Sequence, residues 1–293
     1  MKNIKNKTQA FSLLPGKKLK CYLVFCFQFL GIYGMAQQVD SLKLYKDFLS
    51  VCTQYQVAPL QLRITYNTQT NLVVNAHDTS TVTGYFQLSQ NGDAYMRFGE
   101  MEQLVTDTLA FWINHTLKQV IVDRNVTDAR NRIKMYTGGF SSDSSIKNLV
   151  TMFSANHSVI NSKSLEKLEI LSREKLAYTD QSKRSINVLY NSQTAEPIEI
   201  TTVRRTLIPI AQEDSAAFLN KYGRHGATVS IPKVGLCFVR EYKGVYTYQD
   251  IGHKAGLSMP LKLSDYLVKN NSGSFVLVPG KSNYTLKDMD LTD

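Results

Sequence analysis

The amino-acid sequence predicts an α+β fold in which strands dominate, with an antiparallel sheet and a few short helices. The main observation is that residues 82–123 fall into runs of five to seven residues rich in Val, Ile, Phe, Tyr and Trp. Turn signals separate these runs, and one of them, Asn91-Gly92, is typical of a type I′ hairpin turn. These residues therefore predict an antiparallel meander of about four strands at the centre of the sheet.

The first 36 residues predict a secretory signal peptide that is removed from the mature protein. They carry six lysines and no acidic residue, then an apolar run of 13 residues at Cys21–Tyr33, and small residues at Gly34 and Ala36. Cleavage before Gln37 and export to the periplasm are therefore expected. An uncleaved membrane anchor is the alternative, although a membrane-spanning helix needs about 20 apolar residues.

The net charge of the chain does not favour a nucleic-acid partner. Six of its 34 basic residues lie in the predicted signal peptide, and it has 24 acidic residues. Removal of that peptide leaves 28 basic residues, so the net charge falls from +10 to +4. A nucleic-acid interface needs a clustered basic face. The largest basic cluster is interleaved with acids and is interpreted as a solvated loop: Arg124, Arg130, Arg132 and Lys134 beside Asp123 and Asp128.

The mature chain, Gln37–Asp293, is interpreted as a single domain because no linker divides it and no internal repeat is evident. The residues from about 223 onward form a C-terminal extension of this domain. Two cysteines remain in the mature chain, Cys52 and Cys237. An oxidising compartment permits a disulfide between them, and two buried free thiols are the alternative.

The first mature element is predicted to be a helix at residues 41–56. Asp40-Ser41 supplies its N-cap, and Pro59 disfavours helix just before it. Alternating apolar and polar residues then predict a half-buried strand at Gln61–Tyr66. The apolar stripe of the helix consists of residues spaced by three and four: Leu42, Tyr45, Phe48, Leu49 and Cys52.

Beyond residue 66 the chain predicts further strands around the meander and a few short helices. Lys243-Gly244 is interpreted as a turn between two paired strands. The expected helical segments are 143–153, 212–222 and a turn at 263–268. The expected strands outside the meander are 72–74, 165–171, 176–179, 186–190, 197–206, 236–242, 245–248, 275–278 and a segment around Tyr284.

Both faces of the predicted meander carry aromatic residues. Alternation places Phe86 opposite Tyr85 in one strand and Phe111 opposite Trp112 in another. Tyr85 and Trp112 are assigned to the nominally outer face. This pattern favours a sheet that is covered on both sides, or one that curves around a cavity, over a sheet with a face in water. Trp112 is equally consistent with a core residue whose indole N–H finds a carbonyl.

No catalytic, cofactor or metal motif is present, and the protein is interpreted as not being an enzyme. The sequence has no G-x-S-x-G elbow, P-loop or G-x-G-x-x-G run, and no HxH or HExxH pattern. Three candidate carboxylates, Asp78, Asp107 and Asp250, have no partner that the sequence indicates. The five histidines are scattered along the chain: His77, His115, His157, His225 and His253.

The order of these elements resembles that of the LolA/LolB lipoprotein-carrier superfamily. The resemblance implies a curved half-barrel sheet around a hydrophobic cavity that accepts acyl chains. It also implies that the cavity wall is built from Tyr85, Phe86, Phe98, Phe111 and Trp112, with Arg63 near the mouth. The segments that carry it are the helix at 41–56, the strand Gln61–Tyr66, Gly84-Tyr85-Phe86, Phe111-Trp112-Ile113, Val120-Ile121-Val122 and the strand pair within 186–200.

Three classes of function remain open from the sequence. The first is an exported interaction or assembly scaffold of the cell envelope with an envelope protein as partner. The alternative is a periplasmic carrier or binding protein for lipoprotein acyl chains or other lipids. An exported hydrolase with a site assembled from distant residues is the third. An open apolar cavity in the fold would favour the carrier, and a filled interior would favour the scaffold.

Overall fold

The structure is a computed structural model, and it describes residues 42–136, 143–161, 164–256 and 258–289. Leu44–Asp293 form one compact unit. The predicted signal peptide and its cleavage site lie outside the described residues. Among the residues that are described, no helix is both long enough and apolar enough to cross a membrane.

Four helices and fifteen strands occur in the part of the chain that the structure describes. The helices are α1 (residues 42–53), α2 (Val126–Tyr136), α3 (Asp143–Met152) and α4 (Ser215–Tyr222). The strands are β1 (Leu60–Thr70), β2 (Ser80–Leu88), β3 (Ala94–Phe98), β4 (Met101–Val105), β5 (Ala110–Asn114), β6 (Gln119–Asp123), β7 (Phe153–Asn161), β8 (Leu165–Ser172), β9 (Arg184–Asn191), β10 (Pro197–Pro209), β11 (Thr228–Ile231), β12 (Gly235–Gly252), β13 (Leu267–Lys269), β14 (Phe275–Leu277) and β15 (Thr285–Asp288).

A single curved, open sheet of 13 strands dominates the fold, so the predicted α+β class with a curved sheet is confirmed. Its strand order is β15-β6-β5-β4-β3-β2-β1-β12-β10-β9-β8-β7, and β11 pairs with β12 outside this path. All neighbours are antiparallel except β15 and β6, which are parallel. Strands β13 and β14 form a separate hairpin.

The centre of the sheet is formed by the long strands β1, β12 and β10. Strand β1 pairs with β2 on one side and β12 on the other, and β12 continues the sheet to β10. The meander of β2–β6 is one wing of the sheet, so the prediction that it lies at the centre is wrong. The physical reason is that local patterns indicate which neighbouring strands form hairpins, whereas the pairing of β1 with β12 joins residues far apart in the chain.

The meander itself has five strands where the sequence indicates about four. The additional reversal lies at Gly99-Glu100, between β3 and β4. Gly99 adopts a φ of 54°, a left-handed conformation that glycine reaches without the steric cost that other residues meet. A lone glycine followed by an acid is a weaker turn signal than Asn91-Gly92, which does lie in a hairpin turn.

The turn predicted at Lys243-Gly244 is wrong because both residues lie inside β12, which continues unbroken over 18 residues. The interpretation of every residue after 223 as an extension is corrected at the same time, since β12 supplies a central strand. Residues 258–289, which we call the strap, follow this strand. The strap contains the β13–β14 hairpin and ends with β15 at the edge of the sheet.

Helix α2 occupies residues that the sequence suggests as a solvated loop. Ala129 and Ile133 lie four residues apart and are buried, so the helix has an apolar side. At its start the side chain of Asn125 accepts a hydrogen bond from the backbone N–H of Asp128 at 3.3 Å. The basic residues interspersed in this segment hid the short apolar pattern from the sequence analysis.

Strand β7 is also absent from the sequence prediction, which places loop between α3 and β8. Its residues are mostly polar or small, and Asn156 to Ile160 are exposed, so no alternation of burial marks it. The strands predicted at 72–74 and 176–179 are loops in the structure. Each of these loops buries one leucine, Leu72 or Leu176. An apolar run of three or four residues does not distinguish such a loop from a short strand.

The β2–β6 wing of the sheet is covered on both faces, which is one of the two arrangements that the aromatic pattern predicts. On one side, which we call the helix face, Tyr45, Phe48 and Tyr55 from α1 and the turn after it pack against Leu62 and Phe86. On the opposite side, which we call the strap face, apolar residues of the strap and the meander form a second cluster: Leu261, Tyr266 and Leu267 with Phe111, Ile113, Val120 and Val122. Cys52 and Cys237 are buried free thiols.

Candidate functional site

The six predicted cavity residues are divided between the two faces of the sheet. Phe86, Phe98 and Trp112 belong to the cluster of the helix face, whereas Tyr85 and Phe111 belong to the cluster of the strap face. Arg63 lies directly opposite Tyr85 in the β1–β2 ladder and therefore projects on the strap side. The structure consequently does not bring these six residues to one cavity wall. Tyr85 and Trp112, which the sequence assigns to the same face, lie on opposite faces.

The predicted residues on the helix face lie where the interior is already filled. Phe86 is 2% exposed and packs in the cluster that α1 and α2 cover. The guanidinium carbon of Arg132, from α2, lies 4.9 Å from the ring centroid of Trp112, which is a cation–π contact. A cavity of about 100 Å³ remains beside Phe86 and Ile133. This volume is well below the roughly 300–1,000 Å³ of typical ligand sites.

The predicted residues on the strap face are core or surface residues of that side. Phe111 is fully buried. The Tyr85 hydroxyl donates to the side-chain oxygens of Gln61 and Gln87, at 3.2 Å in both cases. Arg63 forms an ion pair of 3.0 Å with Asp250, and both side chains are more than half exposed. A surface pair of this kind contributes at most about 1 kcal/mol.

An open groove of about 500 Å³ lies on the helix face at the other wing of the sheet. Its floor is formed by β1, β12, β10 and β9, whose pairing registers place the lining residues in adjacent rows. One wall contains Tyr66, whose ring stacks on the ring of Tyr246 with the two centroids 4.4 Å apart. The residues that give the groove its mainly apolar surface are Tyr66, Phe153, Ile186, Thr202 and Tyr242.

Gly244 leaves room for two side chains that border this groove. A Cβ atom at this position would lie 3.1 Å from both the Thr202 hydroxyl oxygen and the Tyr66 hydroxyl oxygen. Those distances are tighter than ordinary van der Waals contact, so a side chain here would require both neighbours to shift by a few tenths of an ångström. Glycine inside a strand marks a close approach of this kind. This is also the signal by which sequence reasoning could have located the groove, had Gly244 been interpreted as an interior strand residue.

A pair of arginines lies at one end of the groove. Arg184 in β9 and Arg204 in β10 are directly opposite each other in the ladder, and both are exposed. Like charges in this position destabilise a sheet. Among the described residues, no carboxylate lies within ion-pair distance of either guanidinium. The two arginines therefore make this end of the groove positive.

The basic residues next to this pair are neutralised. The Nε of Arg205 donates to Glu241 at 2.8 Å, and Lys183 is ion-paired with Glu174. The pKa of the Glu174 carboxyl lies below its ordinary value. The main cause is the hydrogen bond that Lys183 donates to it, and the nearby positive charge of Arg184 makes a smaller contribution. Lys183 and Arg205 therefore have ion-pair partners, whereas no ion pair within the described residues neutralises Arg184 or Arg204.

Two further polar clusters lie outside the groove. On the wing of β8 and β9, the Tyr190 hydroxyl donates to Glu166 at 2.5 Å and His157 contacts the same oxygen at 3.0 Å; these hydrogen bonds hold the pKa of Glu166 below its ordinary value. Beneath the strap, a chain of contacts of 2.8–3.0 Å joins Tyr95, Glu102, His115 and Tyr284. Within the residues described, no three His, Cys, Asp or Glu side chains are grouped to hold a metal ion.

No protein-family model and no curated protein matches the sequence. Solved structures match this chain at low identity and with low TM-scores. A DUF1329 family protein from Desulfovibrio piger is 9% identical with a TM-score of 0.31, over 74% of this chain and 95% of its own. A protein described as an outer membrane lipoprotein-sorting domain, from Vibrio parahaemolyticus, is 11% identical with a TM-score of 0.29, over 75% of this chain and 94% of its own.

The third is a LolA superfamily protein from Nitrosomonas europaea, which is 10% identical with a TM-score of 0.26, over 73% of this chain and 94% of its own. TM-scores of this size carry no argument about the fold or the function of this chain.

Proposed function

We propose that this protein is an exported binding protein whose ligand is an amphiphile with an acyl chain, held in the groove of the helix face. The observation that carries this proposal is the open groove of about 500 Å³, bounded by Tyr66, Ile186, Thr202 and Tyr242. An open apolar cavity is the feature by which a carrier differs from a scaffold with a filled interior.

The size and surface of the groove support an acyl ligand. Its volume falls within the roughly 300–1,000 Å³ range of ligand sites, and such sites are mostly apolar with few polar groups. Tyr66 and Tyr242 present ring surface together with a hydroxyl, which suits a chain that carries a polar end. An empty apolar groove also costs free energy in water, and covering it with an acyl chain removes that cost.

The cellular place of this activity follows from the N-terminal residues. The basic leader, the short apolar run and the small residues before Gln37 support export and cleavage. The mature protein would then meet its ligand in the periplasm, where acyl chains of lipids and lipoproteins need shielding from water. The open groove is the observation that favours a carrier or binding protein over the hydrolase.

Filling the groove tests the proposal. Thr202→Trp places a bulky ring beside Tyr66 and Gly244 and should abolish binding of a dodecyl-chain ligand measured by native mass spectrometry. Thr83→Trp is the matched control, because Thr83 is an exposed strand residue outside the groove and the same substitution there should leave binding unchanged. Circular dichroism of both variants verifies that the fold is retained.

The outcomes separate the two proposals that the sequence leaves open. Binding to the wild type and Thr83→Trp, with loss in Thr202→Trp, supports the groove as the site. Equal binding by all three proteins places the ligand elsewhere and contradicts the proposal. Absence of any bound chain, together with a stable partner in pull-downs from the cell envelope, supports the scaffold instead.

The scaffold remains the second candidate because of one observation at the edge of the sheet. Strand β7 is an edge strand in the described sheet, nine residues long, and contains no proline, lysine or acidic residue. Val159 and Ile160 are 65% and 46% exposed on it. Long edge strands without charges or proline are templates for pairing with another chain.

Phe86, Phe98 and Trp112 remain proposed ligand contacts only if a ligand displaces α1 or α2 from the helix face. In the structure they pack under those helices. Trp112 lies in β5, on the wing opposite the groove, so its fluorescence is expected to stay constant when the groove fills. A direct mass measurement is therefore the better assay.

A further inference from the structure

We infer that the polar end of the ligand is an anion, a carboxylate or a phosphate, and that Arg184 and Arg204 hold it at the end of the groove. This inference rests on the proposed function and adds the class of headgroup. The two guanidiniums would bind the anion, while the acyl chain lies toward Tyr66 and Ile186.

The placement of the two arginines carries the inference. They occupy directly opposed positions in β9 and β10, where like charges destabilise the sheet. Both border the groove, and the register places them on the same face as Tyr66, Thr202 and Tyr242. Glu174 is near Arg184 but pairs with Lys183, and among the described residues no carboxylate forms an ion pair with either guanidinium, so an anion bound between the two arginines would relieve their repulsion.

The neighbouring residues show that these strands can neutralise a basic side chain when it faces the other way. Arg205, one residue after Arg204, forms an ion pair with Glu241 on β12. Lys183, one residue before Arg184, is paired with Glu174. Arg184 and Arg204 alternate toward the groove, and an external anion can reach them there.

The chemistry of guanidinium suits such a headgroup. Its planar fork of N–H donors matches the oxygens of a carboxylate or phosphate in a bidentate geometry, and such charge-assisted hydrogen bonds are stronger than neutral ones. Two forks on adjacent strands can share one anion, as strands lie about 4.8 Å apart. A neutral or cationic headgroup would leave the two arginines facing each other without a partner.

Isothermal titration calorimetry with four probes tests the inference on the mature protein. The probes are dodecyl phosphate, dodecanoate, dodecyl maltoside and inorganic phosphate, each below any critical micelle concentration. The proteins are the wild type, the double variant Arg184→Gln/Arg204→Gln, and Arg63→Gln as the control. Arg63 is an exposed arginine in a strand on the opposite face, so it matches the change in residue type without touching the groove.

The expected result is that the wild type binds the anionic chains more tightly than dodecyl maltoside. The double variant should lose at least about tenfold in affinity for the anionic chains, the factor expected from losing one charge-assisted hydrogen bond. Its affinity for dodecyl maltoside and the behaviour of Arg63→Gln should remain at the wild-type level. Comparing dodecanoate with dodecyl phosphate then assigns the headgroup.

Other outcomes overturn the inference in distinguishable ways. Equal affinity of the wild type for dodecyl maltoside and the anionic chains would refute binding of an anion by the two arginines, but it would remain consistent with the proposed function. Inorganic phosphate binding as tightly as dodecyl phosphate would show an anion site without an acyl groove. Failure of all chain-bearing probes to bind would remove both the inference and the proposed function.

Discussion

Gly244 is a residue for which the local sequence pattern predicts a turn but the structure shows the interior of a strand. In the sequence, Lys243-Gly244 between two apolar runs is typical of a turn. In the structure the glycine continues β12, and its missing side chain leaves room for Tyr66 and Thr202. Local patterns report the backbone freedom of glycine, but they do not report a close approach made by residues that are distant in the chain.

Phe111 provides a direct test of the face assignment at the residue scale. It is fully buried in the cluster of the strap face, so Phe111→Ala should lower the free energy of unfolding by about 3–5 kcal/mol through lost burial and a cavity. Thr83→Ala, at an exposed position of the meander, should change it by no more than about 0.5 kcal/mol. Urea denaturation measures both, and small equal effects would refute the burial of Phe111.

At the scale of elements, the sequence predicts what local periodicity can show. The stripe of Tyr45, Phe48 and Cys52 predicts α1, and the alternation from Leu60 to Ile64 predicts β1, since each pattern is repeated over several residues. The same reasoning does not predict β7, because burial does not alternate along it. It also assigns Tyr85 and Trp112 to one face, since residues in different strands can be compared only when the register is known.

The candidate site shows the same limit more strongly. The sequence indicates that an aromatic cavity is plausible, but it selects Phe86 and Trp112, which the structure places beneath α1 and α2. The groove is instead built across β1, β12, β10 and β9, whose order in the sheet depends on pairings between distant segments. Arg184 and Arg204 become neighbours only through the register of β9 with β10.

The strap is the element that closes the second face, and a charge in its buried position should release it. Leu267 is 3% exposed in the strap cluster, so Leu267→Asp buries an unpaired carboxylate or forces the strap away from the sheet. Trypsin should then cut within residues 258–289 at least about tenfold faster, the factor that about 1.4 kcal/mol of lost local stability gives.

The neighbouring residue supplies the control for the strap experiment. Val268 follows Leu267 in β13 and is 45% exposed, so Val268→Asp places the same charge in water. Its cleavage rate should remain near that of the wild type. Equal acceleration by both variants would mean that the hairpin, and not its packing on the sheet, limits proteolysis.

At the scale of the whole molecule, the two wings of the sheet differ in how they are covered. The wing of β2–β6 is packed on both faces, by α1 and α2 on one side and by the strap on the other. The wing of β12, β10 and β9 keeps an open groove on the helix face. The second wing therefore supplies the surface on which we propose that an acyl ligand binds.

Paramagnetic broadening by a doxyl-labelled stearate tests this central claim most directly. In protein with isotope-labelled isoleucine methyl groups, NMR signals near the spin label lose intensity. Ile186 lines the groove, whereas Ile113 is buried on the strap face of the other wing. The groove account predicts strong broadening of the Ile186 methyl signal with the Ile113 signal unchanged. Equal broadening of both, or broadening of Ile113 alone, would contradict it.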